Sequence, residues 1–226
     1  MKIGCCARPE EISLVKELGF DYVELSGKVI SAMNEDCFQA LVSQLSQLEL
    51  PCRNLNAYCP PEVQMAGPAY NKNANRAYAE SLARRAMALG VQCVCVGSPL
   101  SRRLPENFDR KLAVDQLTGF LSDMAEVFSS AKIKIGFEAL GVCYCNFFNH
   151  MEETLPLLDR FPSGTIGLTV DFYNMEQSGE EELPLGPYLP HIVHAHISDD
   201  AGAPDKRDFL IPSRFPIHHR RLRRLI

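Results

Sequence analysis

The chain lacks the features that mark membrane and secreted proteins. None of its apolar runs is long enough to span a bilayer, and its N-terminus begins with a strand-like segment rather than with the form of a signal peptide. A net charge of -5 does not favour binding to nucleic acid or to a membrane surface. These absences predict a cytoplasmic protein with no nucleic-acid partner and no membrane partner.

Two common cofactor and metal motifs are missing as well. No Gly-x-Gly-x-x-Gly follows the first predicted strand, which argues against a dinucleotide-binding fold. Cys93 and Cys95, like Cys143 and Cys145, are separated by one residue and not by the two residues of a zinc ribbon. The nine cysteines are an odd number, and most lie in apolar runs. Reduced, buried thiols are therefore a better interpretation than a secreted disulfide scaffold.

The chain does contain a regular alternation of short apolar segments and amphipathic ones. Residues 91–96 are nearly all apolar, which is typical of a parallel strand covered on both faces. Helical spacing predicts long helices over residues 71–89 and 108–129. Seven strand–helix units in alternation predict an α/β fold with a parallel sheet. A (β/α)8 TIM barrel usually needs about 250 residues. We therefore expect residues 1–226 to form one such barrel domain, truncated after the seventh strand with the eighth β/α unit missing.

Three successive predicted strands end in residues that can bind a cation. These residues are Glu138, Asp171 and His196. Because side chains alternate along a strand, His194 and His196 point to the same face. Carboxylate oxygens and an imidazole suit Mn²⁺, Mg²⁺, Co²⁺ or Zn²⁺, and the sequence does not choose among them. In barrels the site lies at the carboxyl ends of the strands, where Glu24 and Ser98 are also expected.

These residues also have structural alternatives. Glu138 can serve an inter-strand ion pair, and a backbone carbonyl or Asp199 can satisfy the imidazole of His196. We favour the ligand interpretation because acids at barrel strand ends are usually functional. Arg102 and Arg103 fit either an anion-binding role or a solvated loop. The four arginines between residues 220 and 224 predict the solvated face of an amphipathic helix rather than a nucleic-acid patch.

The sequence resembles the sugar phosphate isomerase/epimerase family, the xylose isomerase-like TIM barrels. The resemblance is carried by residues 20–25, by the loop 97–106, by Glu138 and Asp171 with the residues before them, and by residues 194–199. It implies a divalent metal bound by Glu138, Asp171 and His196, together with a second glutamate that would lie beyond residue 226.

The resemblance also implies the reaction and the substrate contacts. A metal-polarised ketose or related sugar would lose a proton to the catalytic carboxylate of Glu138, giving an isomer or an epimer. Asn174 stands where many epimerases have a histidine, and Arg207 is the nearest candidate for the substrate-binding arginine. Glu24 and Ser98 complete the predicted substrate contacts; for Glu24 an equal alternative is that it orients neighbouring Arg and Lys side chains.

Three other hypotheses stay open. A barrel truncated in this way could be non-catalytic and could form homo-oligomers through its open sheet edges. A sugar dehydratase would use similar residues. A phosphodiesterase like endonuclease IV ranks low because the strand ends offer too few histidines and there is no basic groove.

Overall fold

The computed structural model describes residues 2–203 and 206–226. The seven main strands are β1 (Gly4–Cys6), β2 (Tyr22–Ser26), β3 (Cys52–Asn56), β4 (Cys93–Val96), β5 (Lys134–Glu138), β6 (Gly167–Asp171) and β7 (Ile192–His196). The helices are α1 (Ile12–Glu17), α2 (Gly27–Ala32), α3 (Glu35–Gln47), α4 (Lys72–Leu89), α5 (Pro99–Arg102), α6 (Arg110–Ser130), α7 (Thr154–Leu158), α8 (Phe172–Gln177) and α9 (Phe215–Arg223). A short pair, β8 (Asp199–Asp200) and β9 (Arg207–Asp208), follows β7.

The sheet has the predicted order and direction. Strands β1 to β7 lie side by side in sequence order, and each neighbouring pair is parallel. This arrangement confirms the α/β barrel-like fold with seven parallel strands. Because all strands run the same way, their carboxyl ends meet at one edge of the sheet. In the register of β6 and β7, Asp171 lies beside His196.

The two long helices are close to their predicted limits. Asn71 caps α4 by accepting a hydrogen bond from the Ala74 N–H, and the helix ends at Gly90 with φ 73°. The Asp109 carboxylate caps α6 in the same way. Helices α4 and α6 pack against each other. The buried ring of Tyr58 meets Phe120 edge to face, with ring centroids 5.8 Å apart. No helix in the described residues is both long enough and apolar enough to cross a membrane.

Helix α2 was not predicted, and a glycine makes it possible. Gly27 starts the helix directly after β2, so close to the segment that follows β3 that a Cβ would lie 2.8 Å from the Tyr58 carbonyl oxygen. We expect Gly27→Ala to lower the free energy of unfolding by about 1–3 kcal/mol, because the backbone must move to relieve the contact. Gly186→Ala is the matched control, since a Cβ there meets nothing within 4 Å. Equal urea midpoints for the two variants would contradict this prediction.

Candidate metal centre

The ends of β5, β6 and β7 bring the three predicted ligands together. Ligand atoms of Glu138, Asp171 and His196 all lie within 4.8 Å of one another. The two carboxylates are buried, at 7 % and 3 % exposure, and the imidazole is half-buried. Charged groups are seldom buried without a partner or a metal. The set of two carboxylates and one imidazole therefore fits a divalent cation, with coordination positions left for water or substrate.

The two oxygens of the Asp171 carboxylate have different partners. Its Oδ1 accepts hydrogen bonds from the Tyr173 N–H (2.8 Å) and the Asn174 N–H (3.2 Å), so that it caps α8. Its Oδ2 lies 2.5 Å from the guanidinium of Arg207 and 3.9 Å from His196 Nδ1. Burial by itself raises the pKa of Asp171, but the charges of Arg207 and His196 hold this pKa below its usual value.

Asn174 connects the catalytic candidate to Arg207. Its Nδ2 donates to Glu138 Oε1 at 2.8 Å and to the Ala139 carbonyl at 3.1 Å. Its Oδ1 accepts from Arg207 Nη2 at 2.6 Å. An amide can do both at once without titrating near neutral pH. Asn174 therefore fixes the orientation of the Glu138 carboxylate.

Arg207 comes to the site on β9, which pairs antiparallel with β8. Its guanidinium lies over the rings of Tyr173 (4.9 Å) and Tyr144 (5.6 Å). Burial opposes its charge, but Asp171 and Glu138 raise the pKa of Arg207. Neither tyrosine was predicted from the sequence; the signal for Tyr173 is its position at the start of the helix that Asp171 caps. The Tyr173 hydroxyl donates to Asp200 at 3.0 Å.

Glu24 binds two imidazoles deeper in the barrel. Its Oε1 lies 2.7 Å from His196 Nε2, and its Oε2 lies 2.8 Å from His194 Nε2. The two rings meet edge to face, 4.7 Å apart, so the predicted common face of these histidines is correct. Burial raises the pKa of Glu24, yet the charge of His196 and both hydrogen bonds hold it well below its usual range. Burial lowers the pKa of His196, but Glu24 and Glu138 raise it well above its ordinary value.

The structure contradicts the alternative in which Asp199 hydrogen-bonds the imidazole of His196. The carboxylate of Asp199 instead accepts from His218 Nε2 at 2.8 Å and from the Ile211 N–H at 2.7 Å. Residues 197 and 198 separate it from the end of β7, so it turns toward α9. The imidazole of His196 is left to Glu24 and to the carboxylates of the candidate metal centre.

The segment after β4 lies against Glu138, through Gly97 and Arg102. A Cβ at Gly97 would lie 2.5 Å from Glu138 Oε2, so a larger residue there would displace the Glu138 carboxylate from its observed position. Ser98 is buried, and its hydroxyl accepts from the Cys59 N–H at 3.1 Å; a substrate contact by Ser98 stays a prediction. Arg102 is completely buried and donates to the Glu138 carbonyl at 2.8 Å, with its guanidinium over the Phe137 ring. The solvated-loop interpretation of Arg102 is therefore wrong.

Comparison with known proteins places this geometry in a family. The family model described as xylose isomerase-like TIM barrel matches residues 12–222. No curated protein matches the sequence.

Solved structures share the fold at low identity. The 3-keto-D-glucoside 4-epimerase YcjR from E. coli superposes with a TM-score of 0.75 at 14% identity, over 99% of this chain and 88% of that one. AP endonuclease, family 2, from Brucella melitensis superposes with a TM-score of 0.74 at 19% identity, over 97% and 89%. The IolI protein with a bound zinc atom superposes with a TM-score of 0.70 at 15% identity, over 100% and 86%.

Proposed function

Because the chain belongs to the xylose isomerase-like TIM barrel family, we propose that it is a divalent-metal-dependent isomerase or epimerase of a ketose or related sugar. The observation that carries the proposal is the convergence of Glu138, Asp171 and His196 at the carboxyl ends of three neighbouring strands. Such strand ends are where barrels place their catalytic groups.

Glu138, Asp171 and His196 would hold the cation. When bound, a divalent cation would polarise the sugar carbonyl and so acidify the neighbouring C–H bond. Mn²⁺, Mg²⁺, Co²⁺ and Zn²⁺ all accept this donor set. The zinc atom of IolI supports the metal class without choosing the metal for this chain.

The chain's own residues supply the proton transfer and the orientation of the sugar. Glu138 removes the proton, and the amide of Asn174 holds one of its oxygens in place. Arg207 would bind a sugar oxygen, with the flanking rings of Tyr144 and Tyr173 as walls. The sugar class is supported by the family and by the epimerase YcjR, whose fold this chain shares.

Calorimetric titration with Mn²⁺ tests the cation site. We expect the wild-type chain to bind one equivalent of Mn²⁺. Losing an outer partner of a metal ligand costs up to about 100-fold in affinity. Because Asp171 is predicted to be a direct ligand, we expect Asp171→Asn to weaken Mn²⁺ binding by at least about 100-fold. Asparagine still caps α8, so this variant removes the charged ligand and not the helix start. Asp115→Asn, in an exposed ion pair with Arg160, is the control. Absence of binding by the folded wild type would favour the non-catalytic alternative.

The phosphodiesterase hypothesis has less support. Within the described parts of the chain, metal-ligating side chains form two groups of three or more, and both contain His196. This does not provide the several separate histidines of a multi-metal nuclease. Cleavage of a duplex with an abasic site by the Mn²⁺-loaded chain would contradict this ranking. A dehydratase activity, a homo-oligomer and a cytoplasmic location stay predictions.

A further inference from the structure

We propose a second cation site inside the barrel, formed by Glu24, Cys95 and His194 and suited to Zn²⁺. Ligand atoms of these three residues, together with one of His196, all lie within 4.8 Å of one another. His196 also belongs to the candidate metal centre, whereas Glu24, Cys95 and His194 belong to this second group alone. The three residues, called the inner site here, therefore include no ligand of the candidate metal centre. The proposal does not depend on the proposed function.

The inner site lies where barrels are normally apolar. Glu24 comes from β2, Cys95 from β4 and His194 from β7. Glu24 and Cys95 are 2 % and 0 % exposed, and the side chain of His194 is 10 % exposed. The interior of a barrel is usually filled by Val, Ile and Leu. The structure instead brings a carboxylate, a thiol and an imidazole together from three strands, and these are the donor types of zinc sites.

The distances within the inner site fit one ion. Glu24 Oε2 lies 2.8 Å from His194 Nε2, and no two ligand atoms of the group are more than 4.8 Å apart. Two ligands of a tetrahedral zinc ion are about 3.4–3.6 Å apart, because each lies about 2.0–2.3 Å from the metal. The observed separations bracket this value. Side-chain shifts of about 1 Å therefore bring the three donors around an ion without movement of the strands.

The ring of His194 is held in place by its neighbours. Asn54 Nδ2 lies 3.2 Å from His194 Nδ1 and 3.5 Å from His194 Nε2, so the amide lies along one edge of the ring. The ring of His196 meets it edge to face, with the centroids 4.7 Å apart. Outer contacts of this kind orient metal-binding imidazoles. His194 is thus already fixed beside Glu24.

The thiol of Cys95 decides which class of metal the inner site prefers. Thiolate ligands select Zn²⁺ over Mn²⁺ and Mg²⁺, which prefer oxygen ligands. The candidate metal centre offers two carboxylates and an imidazole, and it accepts either kind of cation. We therefore expect the chain to bind one equivalent of Mn²⁺ and two equivalents of Zn²⁺.

An ion at the inner site would connect β7 to strands with which it does not pair. Among the described strands, β7 pairs along the main sheet with β6 alone. The ion would join His194 on β7 to Glu24 on β2 and Cys95 on β4. A metal that binds the folded chain and not the unfolded one stabilises the fold. Zn²⁺ is therefore expected to raise the thermal midpoint of Asp171→Asn, in which the candidate metal centre is disabled.

Titration with Co²⁺ under reducing conditions tests the proposal, because a cobalt–thiolate bond gives a charge-transfer absorption band. We expect the wild type and Asp171→Asn to show this band at one equivalent per chain. Cys95→Ser should lose the band and still bind Mn²⁺, and Cys95→Ala repeats the test if serine unfolds the chain. Cys145→Ser is the matched control, since Cys145 is also buried and lies outside both ligand groups.

Three results would overturn the proposal. The first is a folded wild type that shows no thiolate band with Co²⁺. The second is a band that persists in Cys95→Ser, which would place the cation on another thiol. The third is loss of the band in Asp171→Asn, which would make the two groups one site. The proposed function is tested separately: a chain that binds Co²⁺ through Cys95 but does not bind Mn²⁺ would keep the inner site and contradict the isomerase proposal.

Discussion

Replacing Glu138 by glutamine is expected to slow the exchange of the sugar's hydrogen with solvent by about 10²–10⁴-fold, the usual contribution of a general base. The amide is close in shape to the carboxylate, and its oxygen can still accept from Asn174 Nδ2. It cannot take up a proton from carbon. The measurement is incorporation of deuterium from D₂O into a ketose, followed by mass spectrometry at a saturating Mn²⁺ concentration.

The design separates the loss of the base from the loss of the metal. Glu138 is also a predicted ligand, so exchange is compared only at metal concentrations that saturate each variant. Glu152→Gln, at an exposed position on the turn before α7, is the matched control and should exchange like the wild type. Exchange at the wild-type rate in Glu138→Gln would show that another group removes the proton.

The strand-end residues were predictable because their positions depend on local periodicity. Three apolar segments of strand length each end in a polar residue. In a parallel sheet these ends share one edge, which places Glu138, Asp171 and His196 together. The common face of His194 and His196 follows from the two-residue period of a strand. No long-range contact has to be known for either inference.

The partners of these residues were not predictable, because they come from distant parts of the sequence. Glu24 meets His196 across 172 positions, and Arg207 reaches Asp171 across 36. Alternation places each side chain on a face, but it does not say which donor meets which acceptor. The short hairpin that carries Arg207 has two residues in each strand, too few for a periodic signal.

One of the C-terminal arginines is a second case in which tertiary contacts override a local pattern. The helical spacing predicted a solvated face, and Arg220 and Arg223 are exposed as predicted. In the structure Arg221 is buried and donates to Glu176 at 2.7 Å, together with Arg214. Glu176 lies on α8, the helix that Asp171 caps. Arg221, which the helical spacing predicted to be solvated, therefore joins α9 to α8 beside the site through its ion pair with Glu176.

Asp199→Ala is expected to lower the free energy of unfolding by about 3–5 kcal/mol, the usual cost of removing one partner of a buried ion pair. Asp199 is completely buried and faces His218, which is 3 % exposed, and Arg214 Nε at 3.1 Å. Without the carboxylate, His218 Nε2 and the Ile211 N–H lose their acceptor. Urea unfolding at neutral pH measures the effect, and hydrogen exchange in α9 shows whether the helix opens first. Asp208→Ala on the exposed strand β9 is the control, at about 0.5 kcal/mol or less.

The same carboxylate predicts how stability changes in acid. Burial raises the pKa of Asp199, but the Ile211 N–H and His218 hold it below its usual value. A carboxyl group whose pKa is lower in the folded state stabilises the fold above its unfolded pKa of about 3.9 and loses that contribution as the pH falls through the folded pKa. The difference in unfolding free energy between wild type and Asp199→Ala should therefore be largest near neutral pH and should shrink below about pH 4. A difference that stays constant through this range would mean that packing, rather than the charge of Asp199, holds α9 beside the site.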